Sequence, residues 1–351
     1  MNKPRVLVTF DSMKYPNSGL FYFGKSLGNA LIEQNNDKFD LTYYTHKRAP
    51  YRFDDKAKLI NLSKLHKLIF PRYNRFDLVH FTDQYCRLKP NKVRAKRVLT
   101  IHDMNPVHEQ LRSPKKMKKY LDRLGGYIDL CDKVVAISRF VAGDILKYFP
   151  QAENKIRVIY NGADKLKVKT GHQPAYLPRG KFLFTIGHVS AKKNFHVLPA
   201  LLEGNDCQLI IAGIITPYQQ KIFEEATKYN CGGRVVIAGT ISDEDRAWYY
   251  QNCEAFVFPS VAEGFGLPVI EAMNFGKPVF LSTHTSLPEI GGDKAYYFDS
   301  FEGEQMQQVF SKGMEDFEKR GRAAEMITYA ERFNWNNTAL EYLSVYRECL
   351  G

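Results

Sequence analysis

No stretch of this chain approaches the roughly 18 to 20 uninterrupted apolar residues that a membrane-spanning helix needs. Cysteine is sparse and scattered: Cys86, Cys131, Cys207, Cys231, Cys253 and Cys349 stand singly, with no CxxC pair. That spacing fits neither a zinc site nor a disulfide framework, and predicts reduced thiols. No internal repeat or low-complexity tract is visible, and 44% hydrophobic with 25% charged residues excludes wholesale disorder. The opening Met1-Asn2-Lys3-Pro4-Arg5 leads into Val6–Phe10, too short an apolar run for a signal peptide, which reads instead as a first buried strand.

What the chain does have is unevenly distributed. Its net charge of +12 divides sharply. Residues 1–165 carry 32 Lys and Arg against 16 Asp and Glu, whereas residues 166–351 carry 18 against 22. A basic half facing an anionic partner (nucleic acid, anionic lipid or a charged acceptor) explains the split, as does plain solubility.

At roughly 150 residues per domain, 351 residues suggest two domains. Short β-rich runs alternate with helical patterns in both halves, the mark of βαβ units and parallel sheets. The first series is Val6–Phe10, Leu41–Tyr44, Leu78–Phe81, Arg97–Ile101, Lys133–Ile137 and Lys155–Ile159. The second is Phe182–Ile186, Cys207–Ala212, Val235–Ala238, Ala255–Phe258, Pro278–Leu281 and Ala295–Phe298. Asp164–Gly180, rich in Lys, Gly, Pro and His, reads as a linker, and Asn336–Leu350 as an amphipathic helix. The predicted architecture is α/β: doubly wound domains at residues 1–164 and 165–334, followed by a helix over 335–351. Ligands of such folds bind beyond the carboxyl ends of the strands, so the two sheets should face a cleft.

The most specific segment runs from Phe258 to Met273. A strand ends at Phe258, a glycine-containing loop follows, and Pro268 sits where a helix would begin. The amides of Gly264, Phe265, Gly266 and Leu267 would then be donors at the positive end of a helix dipole, suited to phosphate or sugar oxygens. Glu263 lies in the loop and Glu271 eight positions on, predicted in the helix's first turn. Carboxylates repel phosphate but accept hydrogen bonds from diols, so the combination suggests a nucleotide sugar. The plainer alternative makes Glu271 a dipole-stabilising acid and Glu263 a solvated loop residue. Asp243-Glu244-Asp245 could pass for a metal-binding pattern, but Ser242 before it favours a capped acidic first helical turn.

This run resembles the E-x7-E motif of the retaining glycosyltransferases of family 4, which have the GT-B fold. Val236–Ser260, Gly276-Lys277-Pro278-Val279 and Ser286–Gly292 follow the family's pattern in order, and Ala136–Phe140 and Asn161–Asp164 are similar to its landmarks. The resemblance implies that Glu263 faces the donor sugar and that Glu271 accepts from the ribose hydroxyls. It implies that Lys193, in the segment Ile186–Asn194, grips the donor diphosphate. His188 stands where the family has arginine, a weaker and pH-dependent cation. His102, in Thr100–Asp103, resembles the histidine beside the donor sugar, giving Glu263, His102 and Lys193 as the catalytic set. Gly19, in the loop Asp11–Leu20, matches a glycine that admits phosphate or acceptor. Asp103, Glu289 and Ser138 are expected around the site. No metal or other cofactor is implied, and the C-terminal helix should cross back onto the first domain.

The activity so implied is transfer of a hexosyl group from a nucleoside-diphosphate sugar to an acceptor hydroxyl, with retention, in lipopolysaccharide or other surface-glycan synthesis. The expected partners are that donor and a glycan or lipid-linked acceptor, and the location is cytoplasmic, at the inner membrane face if the basic segments meet lipid. Ser113–Leu124 and Ser63–Arg75 set lysines beside apolar residues, as an interfacial helix does, or as a solvated helix packed on its own sheet does. A basic nucleic-acid-binding protein is the alternative from another class. The aromatics are not interleaved with the basic runs and the motifs cluster in the acidic half, which argues against nucleic acid. An inactive transferase-like partner subunit is a further alternative, which His188 leaves open.

Overall fold

The computed structural model describes residues 3–16, 18–53, 57–67, 75–109 and 113–351. They form two compact units, one of residues 1–162 with 333–351, the other of residues 163–332. Each is described by itself.

The first unit is built on β1 (Arg5–Phe10), α1 (Gly19–Gln34), β2 (Asp40–Thr45), β3 (Lys58–Asn61), β4 (Leu78–Phe81) and β5 (Lys96–Ile101). It continues through α2 (Asn105–Glu109), α3 (Pro114–Leu130), β6 (Lys133–Ala136), α4 (Arg139–Tyr148) and β7 (Ile156–Val158). Its parallel sheet has the order β3-β2-β1-β4-β5-β6-β7. Central strands such as Val6-Leu7-Val8 and Val134-Val135-Ala136 are apolar at successive positions because both faces are covered. The strand Lys58–Asn61 was not anticipated: among the described residues it pairs only with β2, and its exposed edge position demands no apolar run.

In α3, Tyr120, Leu124 and Ile128 are buried in the unit's own core, while Lys115, Lys116, Lys118, Lys119 and Arg123 are exposed. The apolar stripe is therefore inward-facing, as on a solvated helix. Of the second basic segment, residues 68–74 lie outside the described residues.

The second unit contains β8 (Phe182–Ile186), β9 (Gln208–Ala212), α5 (Gln219–Lys228), β10 (Val235–Gly239), α6 (Asp243–Asn252), β11 (Ala255–Phe258) and α7 (Leu267–Asn274). It ends with β12 (Val279–Ser282), α8 (Leu287–Gly291), β13 (Tyr296–Phe298), α9 (Gly303–Arg320) and α10 (Ala323–Ala330). The sheet, again parallel, runs β10-β9-β8-β11-β12-β13. The loops after β8 and β9 touch so closely that a Cβ on Gly213 would lie 2.0 Å from the Gly187 carbonyl oxygen. The predicted linker is not a free connector. His172 Nε2 lies 2.7 Å from Asp245 Oδ1, Tyr249 donates its hydroxyl to the Tyr176 carbonyl at 2.6 Å, and Gln208 donates to the Tyr176 hydroxyl at 3.0 Å. Polar side chains with partners on α6 and β9 dock a segment whose composition looked like a spacer.

The final helix, α11 (Trp335–Leu350), belongs to the first unit, where it packs on α1 and against β4 and β5. Its buried Tyr346 and Tyr342 complete a chain of hydrogen bonds inside that unit. His80 Nδ1 lies 2.7 Å from the Tyr346 hydroxyl, His80 Nε2 2.8 Å from Thr100 Oγ1, and Thr100 Oγ1 3.0 Å from the Tyr342 hydroxyl. Complete burial, with a smaller effect from His102, lowers the His80 pKa to about 3.

Candidate functional site

In the second sheet the chain passes from β8 outward to β9 and β10, then returns to lay β11 on the other side of β8. The loops after β8 and β11 thus diverge at a topological switch point, where open α/β sheets form ligand crevices. After β8, a tight turn at Ala191–Lys193 ends on Asn194 in the left-handed conformation, φ 57°. This turn is tied to the loop after β11: Val261 N–H donates to the Lys192 carbonyl at 2.8 Å.

The same loop fixes Glu263. Its N–H donates to Thr285 Oγ1 at 3.0 Å, and Ser286 Oγ lies 3.1 Å from its carbonyl and 2.9 Å from that of Phe265. Its side chain forms an ion pair with Lys193 Nζ through Oε1, and Ser260 Oγ lies 2.6 Å from the same oxygen. The two charged side chains are only 14% and 13% exposed, and Lys193 Nζ lies 4.9 Å from the centre of the Phe258 ring. Lys193 thus pairs with Glu263, while Lys192 contributes its carbonyl to the loop.

Gly266 caps α7 with φ 110°, a conformation glycine adopts without strain, and Pro268 is the second helical residue. The first-turn amides of a helix have no intrahelical acceptor and lie at the positive end of its dipole. Gly264, Phe265 and Gly266 are buried and Leu267 is half-buried, so the loop carrying those amides is compact.

Glu271 corrects one expectation: α7 begins at Leu267 and holds no acid in its first turn, so Glu271 lies in the second. It is buried rather than dipole-facing. Tyr250 donates its hydroxyl to Oε2 at 3.0 Å, and Arg246 Nη1 lies 3.7 Å from Oε1. Burial pushes its carboxyl up, while Arg246 and then the Tyr250 hydrogen bond pull it down. Sequence reasoning missed Arg246 and Tyr250. Their spacing of four on α6 puts both on one face, but nothing in the sequence names α7 as that face's neighbour.

His188 is exposed, and its carbonyl accepts from the Ser190 hydroxyl at 3.1 Å. Glu289 stands half-buried in the first turn of α8. The acidic triplet is a capped helix start, Ser242 Oγ accepting from Asp245 N–H at 3.0 Å. Among the described residues, no group of three or more His, Cys, Asp or Glu could hold a metal ion.

In the first unit, His102 follows β5 and is buried edge-on against Phe23, ring centres 4.5 Å apart. Its Nε2 lies 2.7 Å from the Thr82 carbonyl, which can only accept. Nε2 therefore carries the proton, and Nδ1 is left as the nitrogen for a ligand. Asp103 Oδ1 accepts from Asn105 N–H at 3.0 Å, and Ser138 Oγ caps α4 by accepting from Val141 N–H at 3.1 Å. Both side chains thus have local structural work. Gly19 opens α1, and an added Cβ there would meet nothing within 4 Å, so the chain itself does not require glycine at this position.

Sequence reasoning also missed a cavity of about 780 Å³ beside β1 and β4, lined by Asp11, Lys14, Tyr15, Asp83, Tyr85 and Arg87 among others. Burial raises both carboxyls. Asp83 is pulled back down by His102 and Asp11 by the Arg87 N–H. Carboxylates, cations and exposed Tyr15 and Tyr85 rings together suit a polyhydroxylated, partly anionic ligand.

The family model described as glycosyl transferases group 1 matches residues 173–332, and that described as glycosyltransferase family 4 matches residues 29–165. The chain belongs to glycosyltransferase family 4. Curated relatives include the serotype-specific mannosyltransferase WbdA of Escherichia coli, 26% identical over 283 residues. That match takes in 74% of this chain but 34% of WbdA, so the chain spans about a third of that relative's length. The O-antigen chain mannosyltransferase B of Escherichia coli is 26% identical over 309 residues, 82% of this chain and 80% of that protein.

Solved structures agree on the fold. Sucrose-phosphate synthase from Thermosynechococcus elongatus superposes with a TM-score of 0.77 at 21% identity, over 99% of each chain. WaaG, a glycosyltransferase involved in lipopolysaccharide biosynthesis, gives 0.68 at 12% identity over 97% of this chain and 99% of its own. The architecture is the GT-B fold of family 4.

Proposed function

We propose that the chain moves a hexosyl group from a nucleoside-diphosphate sugar to an acceptor hydroxyl with retention of configuration, in the assembly of lipopolysaccharide or another surface glycan. The observation that carries this reading is the pairing of Lys193 with Glu263 at the switch point of the second sheet, beside the amino end of α7. A cation and helix amides suit a departing diphosphate, and a fixed carboxylate suits sugar hydroxyls. The names of the O-antigen relatives and the UDP-glucose complex of Anabaena HepE support the substrate class for those proteins, and by kinship for this one.

In this mechanism the bond between the anomeric carbon and the diphosphate oxygen breaks, and the acceptor oxygen bonds to that carbon on the same face. The acceptor's proton passes to the departing phosphate oxygen, so no side chain need serve as general base. Lys193, His188 and the α7 amides stabilise the charge that develops on the leaving group. Glu263 and the Nδ1 of His102 hold sugar hydroxyls, and Glu271 the ribose. No metal takes part.

A thermal-shift panel of UDP-, GDP- and ADP-sugars tests the reading, since ligands that bind the folded state raise its midpoint. One donor class should raise it, and transfer from that donor should persist in EDTA and yield a product whose anomeric configuration, read by NMR, matches the donor's. No shift with any of them overturns the reading. A shift without transfer to any supplied saccharide returns the inactive partner subunit.

The exposed lysines of α3 support an anionic membrane surface as a further partner. Sedimentation with anionic vesicles at low salt should carry the protein down, and substituting Lys115, Lys116, Lys118 and Lys119 by Gln should release it. Retention of the wild-type protein in the supernatant removes this partner.

A further inference from the structure

Arg246 is a buried cation that the proposed chemistry does not use. Its side chain is 7% exposed and bridges two acids, with Nη2 3.1 Å from Asp243 Oδ1 and Nη1 3.7 Å from Glu271 Oε1. One turn along the same face of α6, the Tyr250 hydroxyl donates to the other Glu271 oxygen. Tyr250 is itself locked by aromatic neighbours, its ring centre 5.2 Å from that of Phe184 and 5.5 Å from that of Phe256.

Stability alone does not account for this arrangement. A buried ion pair is commonly no better for stability than well-packed apolar residues of the same volume. What the pair does achieve is geometric. At 3.7 Å the guanidinium stands outside ordinary hydrogen-bonding reach of Oε1, and Tyr250 takes one lone pair of Oε2. Each oxygen thus retains lone-pair capacity for a hydroxyl hydrogen.

We propose that Arg246 is a positioning residue for the nucleotide's ribose: it keeps Glu271 a carboxylate and aims it so that vicinal ribose hydroxyls can both donate to it. This rests on the reading of Glu271 as the ribose acceptor. The groups acting on the Glu271 carboxyl are Arg246 and Tyr250, which favour its ionised form, and Asp164 and Asp243, which oppose it along with burial. Without Arg246 the acid takes up a proton more readily, donates instead of accepting, and loses one partner of a two-hydroxyl contact. Ribose recognition then weakens at low pH and recovers as pH rises.

The experiment measures the affinities of UDP, GDP and ADP, their 2′,3′-dideoxy counterparts and inorganic pyrophosphate from pH 6 to 8.5. In the wild-type protein, the nucleoside diphosphate that binds should outbind its dideoxy form by about tenfold or more, with a ratio flat across this range. Arg246→Gln should lower the ratio severalfold at pH 6, restore part of it at pH 8.5 and leave pyrophosphate affinity unchanged. Arg246→Lys should retain it. Glu271→Gln should lose it at every pH. A wild-type protein indifferent to the ribose hydroxyls overturns the ribose reading of Glu271 itself. Discrimination that survives Arg246→Gln unchanged, or a variant that weakens pyrophosphate equally, overturns only the role of Arg246. Should Arg246→Gln fail to fold, the wild-type ratio decides: its collapse below pH 7 shows that Arg246 does not keep the acid ionised.

Discussion

Lys193 and Glu263, seventy residues apart in sequence, are ion-paired through Glu263 Oε1. The cation proposed for the diphosphate and the acid proposed for the sugar thus neutralise each other. Removing one partner leaves a largely buried charge, so Lys193→Met and Glu263→Gln should each destabilise the protein by about 2–4 kcal/mol, and the double variant by less than their sum. Denaturant unfolding measures this cycle. Pyrophosphate should raise the midpoint of Glu263→Gln by more than that of the wild type, and that of Lys193→Met scarcely at all. Turnover of Lys193→Ala should fall by about 10²–10³-fold.

His102 offers Nδ1 because the Thr82 carbonyl occupies its Nε2–H. His102→Ala should lower turnover about 10- to 100-fold, the worth of one hydrogen bond better made in the transition state. Steady-state kinetics with the donor found in the thermal-shift panel checks this. Unaltered turnover would reduce His102 to a core residue packed on Phe23.

Ser138, named from its resemblance to a family landmark, has its side chain committed to the first turn of α4. Ser138→Ala should cost about 1 kcal/mol, the usual loss for an N-cap. Calorimetry reads the loss, and unchanged pyrophosphate affinity should accompany it.

His80 makes stability depend on pH. Folded, it stays neutral until pH falls to about 3, whereas the unfolded ring takes up a proton near pH 6.5. Its contribution is therefore full above about pH 6.5 and is lost progressively as pH falls from there toward 3, by up to about 1.4 kcal/mol per pH unit. Urea unfolding between pH 4 and 7.5 should show this decline, and His80→Gln should show a shallower one.

The strands were legible because parallel sheets covered on both faces require continuous apolar runs, as in Phe182–Ile186 and Ala255–Phe258, which the structure reproduces residue for residue. The edge strand Lys58–Asn61 was illegible for the converse reason. The loop holding Glu263 could be read from its glycines and Pro268, whose backbone demands are local. Arg246 could not: an arginine three residues after Asp243 looks like half of a surface i,i+3 pair, and its burial against Glu271 depends on how α6 and α7 pack. The Asp164–Gly180 stretch misled in the same way, since His172 and Tyr176 find their partners only across the folded unit.

Because Tyr342 and Tyr346 of the last helix close the hydrogen-bond chain around His80, the order of synthesis matters. A ribosome delivers residues 163–332 as one unbroken stretch, able to fold as it emerges. The earlier unit must wait, with one flank of its sheet still bare, until residues 333–351 have followed. Removing even the last two turns of α11 would therefore strike the unit of residues 1–162, not the adjacent unit of residues 163–332.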